Sequence, residues 1–132
     1  MREIKFRGMD IVNNKWLYGN LEIPLINQSK SKHFIIGYSY GQYQKHEVDP
    51  KTIGQYTGLK DRNCKEIYEG DLLQHPNGTI AEIQYSDDLA AFVAVYVQNS
   101  NTEMDYLDKE IVSKCKIVGN IYENPELLEG EE

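Results

Sequence analysis

Apolar and polar residues alternate at the start of the chain in short stretches separated by turn-forming residues. Residues 4–7 alternate, and residues 16–18 form a second apolar and aromatic stretch after the polar pair Asn13-Asn14. Asparagine tolerates a positive φ, so this pattern predicts a hairpin in which the chain reverses between Val12 and Trp16.

The same pattern predicts a second hairpin. Residues 33–40 and 43–48 can be extended, and they flank Gly41-Gln42. Asp49-Pro50 follows directly. Because proline lacks an amide donor and disfavours helix in the preceding residue, we expect the second strand to end at this pair and a new strand to begin at residues 52–56.

The strongest turn chemistry lies in the centre of the chain, from residue 54 to residue 85. Glu69-Gly70 predicts a tight turn between two short strands, and Asn77-Gly78 is the strongest short hairpin signal in the sequence. The predicted return strand, residues 79–85, alternates cleanly and places Ala81, Ile83 and Tyr85 on one face.

The C-terminal third contains further predicted strands. Residues 89–97 are apolar on both faces and rich in valine, which predicts a central buried strand, whereas residues 98–105 are polar and predict a loop. Residues 107–113 fit a short helix as well as a strand. After an extended stretch at residues 115–122, Asn124 is expected to cap a helical turn that Pro125 opens.

Together these elements predict an all-β fold, a small antiparallel roll or barrel with a short C-terminal helical turn. We expect one domain over residues 1–132. Residues 1–48 would supply the N-terminal strands, with a mobile loop at residues 24–32. Residues 49–128 would form the barrel core, and residues 129–132 a frayed tail.

Charge and composition narrow the classes of partner. The formal net charge is −7, which disfavours non-specific binding to nucleic acid and to anionic membranes. The N-terminal residues lack the apolar segment of a signal peptide, so we expect a cytoplasmic protein that does not enter a membrane. Cys64 and Cys115 are then expected to be reduced thiols.

Four sequence blocks carry a family resemblance. They are REIKFR at residues 2–7, DPKTIGQYTGLKD at residues 49–61, KEIYEGD at residues 65–71 and VGNIYENPELL at residues 118–128. In order and length they resemble the YopX family, small proteins encoded by bacteriophages and prophages, chiefly of Gram-positive bacteria.

The resemblance implies a β-rich fold, a part of which is similar to an SH3-type barrel, and a cytoplasmic setting in a bacterial host cell. It implies no particular activity. The family pattern usually has glycine where this chain has Cys64. We therefore expect the loop at Asn63-Cys64 to be wider, or of another type, than a turn with two positive-φ residues.

The densest group of acidic residues is Glu66, Glu69 and Asp71. Two or three carboxylates on one face could hold a divalent cation or act as an acid–base pair, which is the chemistry of a metal-dependent enzyme. On a turn that enters a strand, however, such residues commonly solvate the surface or accept backbone N–H bonds, and we favour that interpretation. The histidines lie at no metal-ligand spacing, and no metal or cofactor is predicted.

Tyrosines are abundant, and several lie near basic residues. Exposed rings on a small β-barrel can stack bases or bind extended peptides, so a single-stranded nucleic-acid-binding module is one alternative; in the other, the rings cover the edges of the core. The tyrosines concerned are Tyr38, Tyr40, Tyr43, Tyr56 and Tyr68, and the nearby cations are Lys45, Lys51, Lys60, Arg62 and Lys65.

We therefore predict a non-enzymatic β domain with no catalytic residue, which binds a protein partner from the phage or from its bacterial host. The predicted contact surface is the face around Tyr56, Arg62 and Tyr68. Short edge strands also make a homo-oligomer an open alternative.

Overall fold

The structure, a computed structural model, describes residues 2–24, 32–39, 41–98 and 101–128. In these residues the chain forms ten antiparallel β-strands, which confirms the predicted all-β fold class. The chain divides into two compact units, residues 1–56 and residues 57–132.

The first unit is a ring of four strands. β1 (Phe6–Asp10) pairs with β2 (Trp16–Glu22), β2 pairs with β3 (His33–Ser39), and β3 pairs with β4 (Gln42–Lys60). β1 also pairs with β4, so each of the four strands has two neighbours. Both predicted N-terminal hairpins are confirmed. In the first, Asn14 takes a φ of 57°.

Two glycines let neighbouring strands of this ring pack closely. A Cβ atom added to Gly8 would lie 2.9 Å from a methyl group of Val48, which is fully buried on β4. A Cβ atom added to Gly19 on β2 would overlap the backbone carbonyl oxygen of Ile36 on β3. Two neighbouring strand pairs of the ring therefore depend on the absence of a side chain.

The expected end of a strand at Asp49-Pro50 is wrong, because β4, which is 19 residues long, continues through this pair. The register between β1 and β4 jumps from Arg7↔Gly54 to Met9↔Asp49, which leaves Pro50 in a bulge without a ladder partner. The side chain of Thr52 connects β1 and β4 at this bulge. Its hydroxyl accepts a hydrogen bond from the Met9 amide at 2.9 Å and donates one to the Asp49 carbonyl at 2.7 Å. A bulge is a position where a strand tolerates proline.

The second unit begins with the end of β4, which pairs with β5 (Glu66–Tyr68). A five-stranded sheet follows, in the order β10-β6-β7-β8-β9. Its strands are β6 (Asp71–Gln74), β7 (Ile80–Ser86), β8 (Ala91–Gln98), β9 (Asn101–Tyr106) and β10 (Lys116–Asn120).

The core of the second unit confirms two predicted strands. Ala81 and Ile83 of β7 are buried, whereas Tyr85, the third residue of the predicted face, is 44% exposed near the end of the strand. Val93 and Ala94 show that β8 is buried on both faces. The buried cluster of this unit consists of Ile67, Leu73, Ala81, Ile83, Ala94, Val112 and Cys115.

The predicted loop at residues 98–105 is wrong in part, because Asn101–Tyr106 forms β9 and pairs with β8. An edge strand has only one neighbour and needs no continuous apolar face, so its sequence does not show the pattern of a buried strand. Residues 107–113, open between helix and strand, contain a short helix α1 (Lys109–Val112), whose N-cap Asp108 accepts from the Glu110 amide at 2.8 Å.

The predicted C-terminal helical turn is present as a 3₁₀ turn at Pro125–Leu128. The Asn124 side chain does not cap it. Its Oδ1 atom accepts instead from the Asn120 amide at 3.2 Å, while the Asn124 carbonyl accepts from the Leu127 amide. The expected mobile loop at residues 24–32 lies almost wholly outside the described residues, and the expected frayed tail at residues 129–132 lies wholly outside them.

The loop at Asn63-Cys64 has one residue in the left-handed backbone conformation, whereas the family pattern suits a turn with two such residues. Cys64 has a φ of 63°, and its amide donates to the Asp61 carbonyl at 3.0 Å. The Cys64 side chain is exposed. A residue with a Cβ atom in this conformation costs about 1–2 kcal/mol, which glycine avoids.

We expect Cys64→Gly to raise the free energy of unfolding by about 1 kcal/mol, after the greater entropy of glycine in the unfolded chain is deducted. Urea unfolding of the variant and the parent chain measures this difference. Cys64→Ala is the control, because it removes the thiol but keeps the Cβ atom, and it should leave stability almost unchanged. Equal effects of the two substitutions would show that the backbone conformation is not the cause.

Candidate functional site

Two short basic segments that are distant in sequence are joined in the second unit. Asp61 makes the connection, and its side chain is only 4% exposed. One carboxylate oxygen accepts from the amides of Asn63 and Lys65, at 2.8 and 2.9 Å, and the other accepts from the Ile117 amide on β10 at 2.9 Å. The loop at residues 61–65 is therefore fixed to β10 by a buried charged group with three backbone donors.

A backbone bond completes this connection and brings two cations to one surface. The amide of Arg62 donates to the Cys115 carbonyl at 2.9 Å. The next residue, Lys116, lies on β10 opposite Gln74 of β6. Arg62 and Lys116 thus extend from backbone segments that are held by hydrogen bonds on both sides.

Together these elements form a groove of about 250 Å³, lined by Arg62, Gln74, His75, Pro76, Gly78 and Lys116. We call it the basic groove. Arg62 is exposed and Lys116 is partly buried. In the part of the chain that the structure describes, neither side chain has a carboxylate oxygen within 4.0 Å. On a protein with a net charge of −7, this is a local cationic surface.

One wall of the basic groove is the hairpin between β6 and β7, whose turn confirms the Asn77-Gly78 prediction. Gly78 has a φ of 93° and donates to the His75 carbonyl at 2.9 Å, and the His75 amide donates to the Thr79 carbonyl at 2.8 Å. Asn77 Oδ1 accepts from the Thr79 amide at 2.9 Å. The turn is therefore a rigid three-residue loop rather than a flexible tip.

The His75 ring is held by Tyr96 of β8. The distance from His75 Nε2 to the Tyr96 hydroxyl is 2.6 Å, and the ring centroids are 5.4 Å apart. Burial, together with the negative charges of Asp105 and of the Cys115 thiolate form, raises the pKa of the Tyr96 hydroxyl. Tyr96 therefore stays a neutral hydroxyl that fixes the imidazole.

Of the predicted contact residues, only Arg62 is on the surface. Tyr56 is 5% exposed and Tyr68 is 2% exposed, so neither ring is available to stack on a partner. Tyr56 lies in the first unit, where Lys5 Nζ is 5.3 Å from the centre of its ring. Arg62, in the basic groove, is therefore the residue of the predicted contact surface that a partner could reach.

The other tyrosines singled out in the sequence divide in the same way. Tyr43 is 76% exposed on β4 and lies in the first unit, whereas the side chains of Tyr38 and Tyr40 are outside the described residues. The two buried rings follow the alternative in which tyrosines cover the core.

Of the three acidic residues, Glu66 is the first residue of β5, Glu69 lies in the turn that follows, and Asp71 is the first residue of β6. Glu66 Oε1 accepts from the Tyr68 hydroxyl at 3.0 Å, and buried Asp71 accepts from the Tyr68 amide at 2.8 Å. Among the described residues, no three side chains of His, Cys, Asp or Glu are placed to hold a metal ion. The metal-dependent alternative therefore has no ligand set in this part of the chain.

The two cysteines differ in their surroundings. Cys64 is exposed, while Cys115 is buried in the core of the second unit, where burial raises the pKa of its thiol. The buried thiol is thus the less reactive of the two. No helix in the described ranges has the length and apolar character needed to cross a membrane.

Sequence reasoning identified Arg62 but missed Lys116, its counterpart in the basic groove. The two are 54 positions apart, and no run of basic residues joins them. The available signals were two separate segments, residues 60–65 and residues 114–116, which contain three and two closely spaced cations. Only the hydrogen bonds of Asp61 and Arg62 to β10 bring these segments together.

Comparisons with known proteins agree with the resemblance found in the sequence. The model of the family described as "YopX protein" matches residues 5–129. A solved structure, the crystal structure of protein EF1440 from Enterococcus faecalis, is similar to this chain with a TM-score of 0.54 and 27% sequence identity. The similarity covers 97% of this chain and 99% of that one. No curated protein matches the sequence.

Proposed function

We propose that this chain, which belongs to the YopX family, is a non-enzymatic binding module that recognises a protein partner through the basic groove. In the bacteriophage or prophage setting that the resemblance implies, the partner is a phage protein or a protein of the bacterial host. The observation that carries the proposal is a pair of cations, Arg62 and Lys116, that extend from hydrogen-bonded backbone and have no carboxylate oxygen within 4.0 Å among the described residues.

The way in which the groove is built supports binding rather than catalysis. Gln74 Nε2 donates to the Gly78 carbonyl at 3.4 Å, and His75 Nε2 is engaged by Tyr96. A general base needs a ring nitrogen within reach of a substrate proton, and a nucleophile needs an adjacent base. Among the described residues, the lining of the groove has no serine, cysteine, aspartate or glutamate that could act together with His75, which supports recognition rather than catalysis.

The second hypothesis, single-stranded nucleic-acid binding, finds less support. Such sites combine a basic channel that follows the backbone with aromatic rings on which successive bases stack. Of the five tyrosines predicted for this role, Tyr56 and Tyr68 are buried, and Tyr43, which is 76% exposed, lies in the first unit and not at the basic groove. Among the residues that the structure describes, the lining of the groove has two permanent cations and no tyrosine, tryptophan or phenylalanine.

The proposal is tested by photocross-linking in the host cell with benzoylphenylalanine at Pro76. This residue is exposed, lines the groove and donates no backbone hydrogen bond that the substitution could break. The expected result is a discrete protein adduct that falls about tenfold or more when Arg62→Glu and Lys116→Glu are added, since a reversed charge pair repels the same partner group.

The matched control places the same cross-linker at Val12, which is 85% exposed in the first unit. It should not yield the adduct. Identical adducts from the two positions, or an adduct unaffected by the charge reversal, would contradict a contact at the groove. A nuclease-sensitive adduct at Pro76 would show that the partner is a nucleic acid and not a protein.

A further inference from the structure

We infer that the basic groove binds the carboxylate of an aspartate or glutamate side chain, presented by an acidic segment of the partner protein. This deepens the proposed function and rests on it. The inference depends on three properties of the groove: which donors are free, which backbone groups are already used, and how large the groove is.

The free donors are the two cations. Arg62 presents a planar guanidinium that can bind both oxygens of one carboxylate, and Lys116 adds a second positive charge at the same groove. His75 Nε2 and the Gln74 amide are occupied by partners within the protein. An anionic ligand would therefore be recognised by Arg62 and Lys116.

The backbone of the groove distinguishes a carboxylate from a phosphate. Phosphate sites usually present several successive free amide groups to the ligand. Here Pro76 has no amide hydrogen, Gly78 donates to His75, and Thr79 donates to Asn77. The turn thus lacks a run of free amides, so the groove does not have the backbone cradle that is usual for a phosphate.

The size of the groove suits a single side chain. Its volume of about 250 Å³ is below the range of roughly 300–1,000 Å³ that is usual for small-molecule pockets. The net charge of −7 also opposes the approach of a polyphosphate, whose many charges would meet the acidic surface beyond the groove. An isolated acidic side chain on a mixed-charge partner avoids this repulsion.

The test is a titration of the isotope-labelled full chain, followed by its amide NMR signals. The probe is a short peptide in which glutamate alternates with glycine, at an ionic strength of about 0.1 M, where surface attraction beyond about 10 Å is screened. We expect shifts at Gly78, Lys116 and Ile117. We also expect the dissociation constant to rise about tenfold in the variant Arg62→Gln, Lys116→Gln, which removes the charged donors.

The matched variant is Lys15→Gln, Lys51→Gln, which removes two exposed cations from the first unit and changes the net charge equally. It should alter the dissociation constant by less than about twofold. Thermal unfolding of both variants checks that each is folded. Equal weakening in the two variants would overturn the inference, because the attraction would then come from net charge alone.

Three probes of different chemistry complete the test. The glutamine version of the peptide should not bind, and the phosphoserine version and a short oligothymidine should bind no more tightly than the glutamate peptide. Tighter binding of either phosphate-bearing probe at the same amides, or no binding of the glutamate peptide, would overturn the inference. If the peptide fails while the cross-link at Pro76 persists, the groove binds its partner through another chemistry and the proposed function stands.

Discussion

Replacement of Gly19 by alanine is expected to destabilise the first unit by about 3 kcal/mol, because the new methyl group would overlap backbone and not a side chain that could rotate away. The atom that it would meet is the carbonyl oxygen of Ile36 on β3. Relief requires β2 and β3 to separate, and the Asn20↔Ile36 pair lies directly beside the overlap. Urea unfolding of Gly19→Ala against the parent chain measures the loss.

Gly37 provides the matched control on the facing strand. A Cβ atom added there would have the Tyr18 carbonyl oxygen as its nearest contact, at 3.8 Å, an ordinary van der Waals distance. Gly37→Ala should therefore change stability by less than about 1 kcal/mol. If the two alanine variants unfold at the same urea concentration, close approach of β2 and β3 is not what Gly19 provides.

Asp61→Asn is expected to cost about 3 kcal/mol, because a buried acceptor of three backbone bonds would be replaced by a group that is half donor. Whichever way the amide is oriented, its NH₂ group faces either the Ile117 amide or the amides of Asn63 and Lys65. Two donors then meet, and the loop loses its attachment to β10. Chemical unfolding measures the cost, and the amide signal of Ile117 reports the local change.

The control for this prediction is Asp88→Asn, the same chemical change in an exposed turn. It should leave stability within about 0.5 kcal/mol of the parent. Because Asp61 holds the Arg62 segment against β10, Asp61→Asn should also weaken the cross-link at Pro76. A variant that unfolds normally but keeps full cross-linking would show that the groove does not depend on this connection.

The fold class was predictable because its signals are local. A hairpin needs a turn residue and two alternating flanks, and Asn14, Gly41 and Gly78 each supply a positive φ at the predicted place. The return strand after Gly78 also places Ala81 and Ile83 in the core, as its alternation predicts.

The two wrong strand predictions, at Asp49-Pro50 and at residues 98–105, share a cause: strand pairing depends on neighbours that are distant in sequence. Pro50 breaks no hydrogen bond between β1 and β4, because the register of the two strands passes over it. The Thr52 hydroxyl accepts and donates hydrogen bonds at this point instead. β9 forms from polar residues because β8 provides its hydrogen bonds. In both cases a long-range partner overrides what the local sequence favours.

The basic groove was only partly predictable for the same reason. The sequence identified Arg62 as a contact residue, but the companions it offered were Tyr56 and Tyr68, chosen because tyrosine often lies on β surfaces. The structure buries both rings and supplies Lys116 instead. Burial of an amphipathic ring, like the meeting of two distant segments, depends on packing that no local spacing encodes.

Ring closure in the first unit has a consequence for the order of events on the ribosome. Phe6 of β1 is opposite Gln55 of β4. Of the four strands in the ring, β1 is therefore synthesised first but cannot complete its pairing until β4 has been synthesised. At about 5–20 residues per second, the nascent chain spends several seconds with an unclosed sheet edge. During that interval the edge of β1 (Phe6–Asp10) that later faces β4 can pair with another chain, and a chaperone that covers this strand would prevent it.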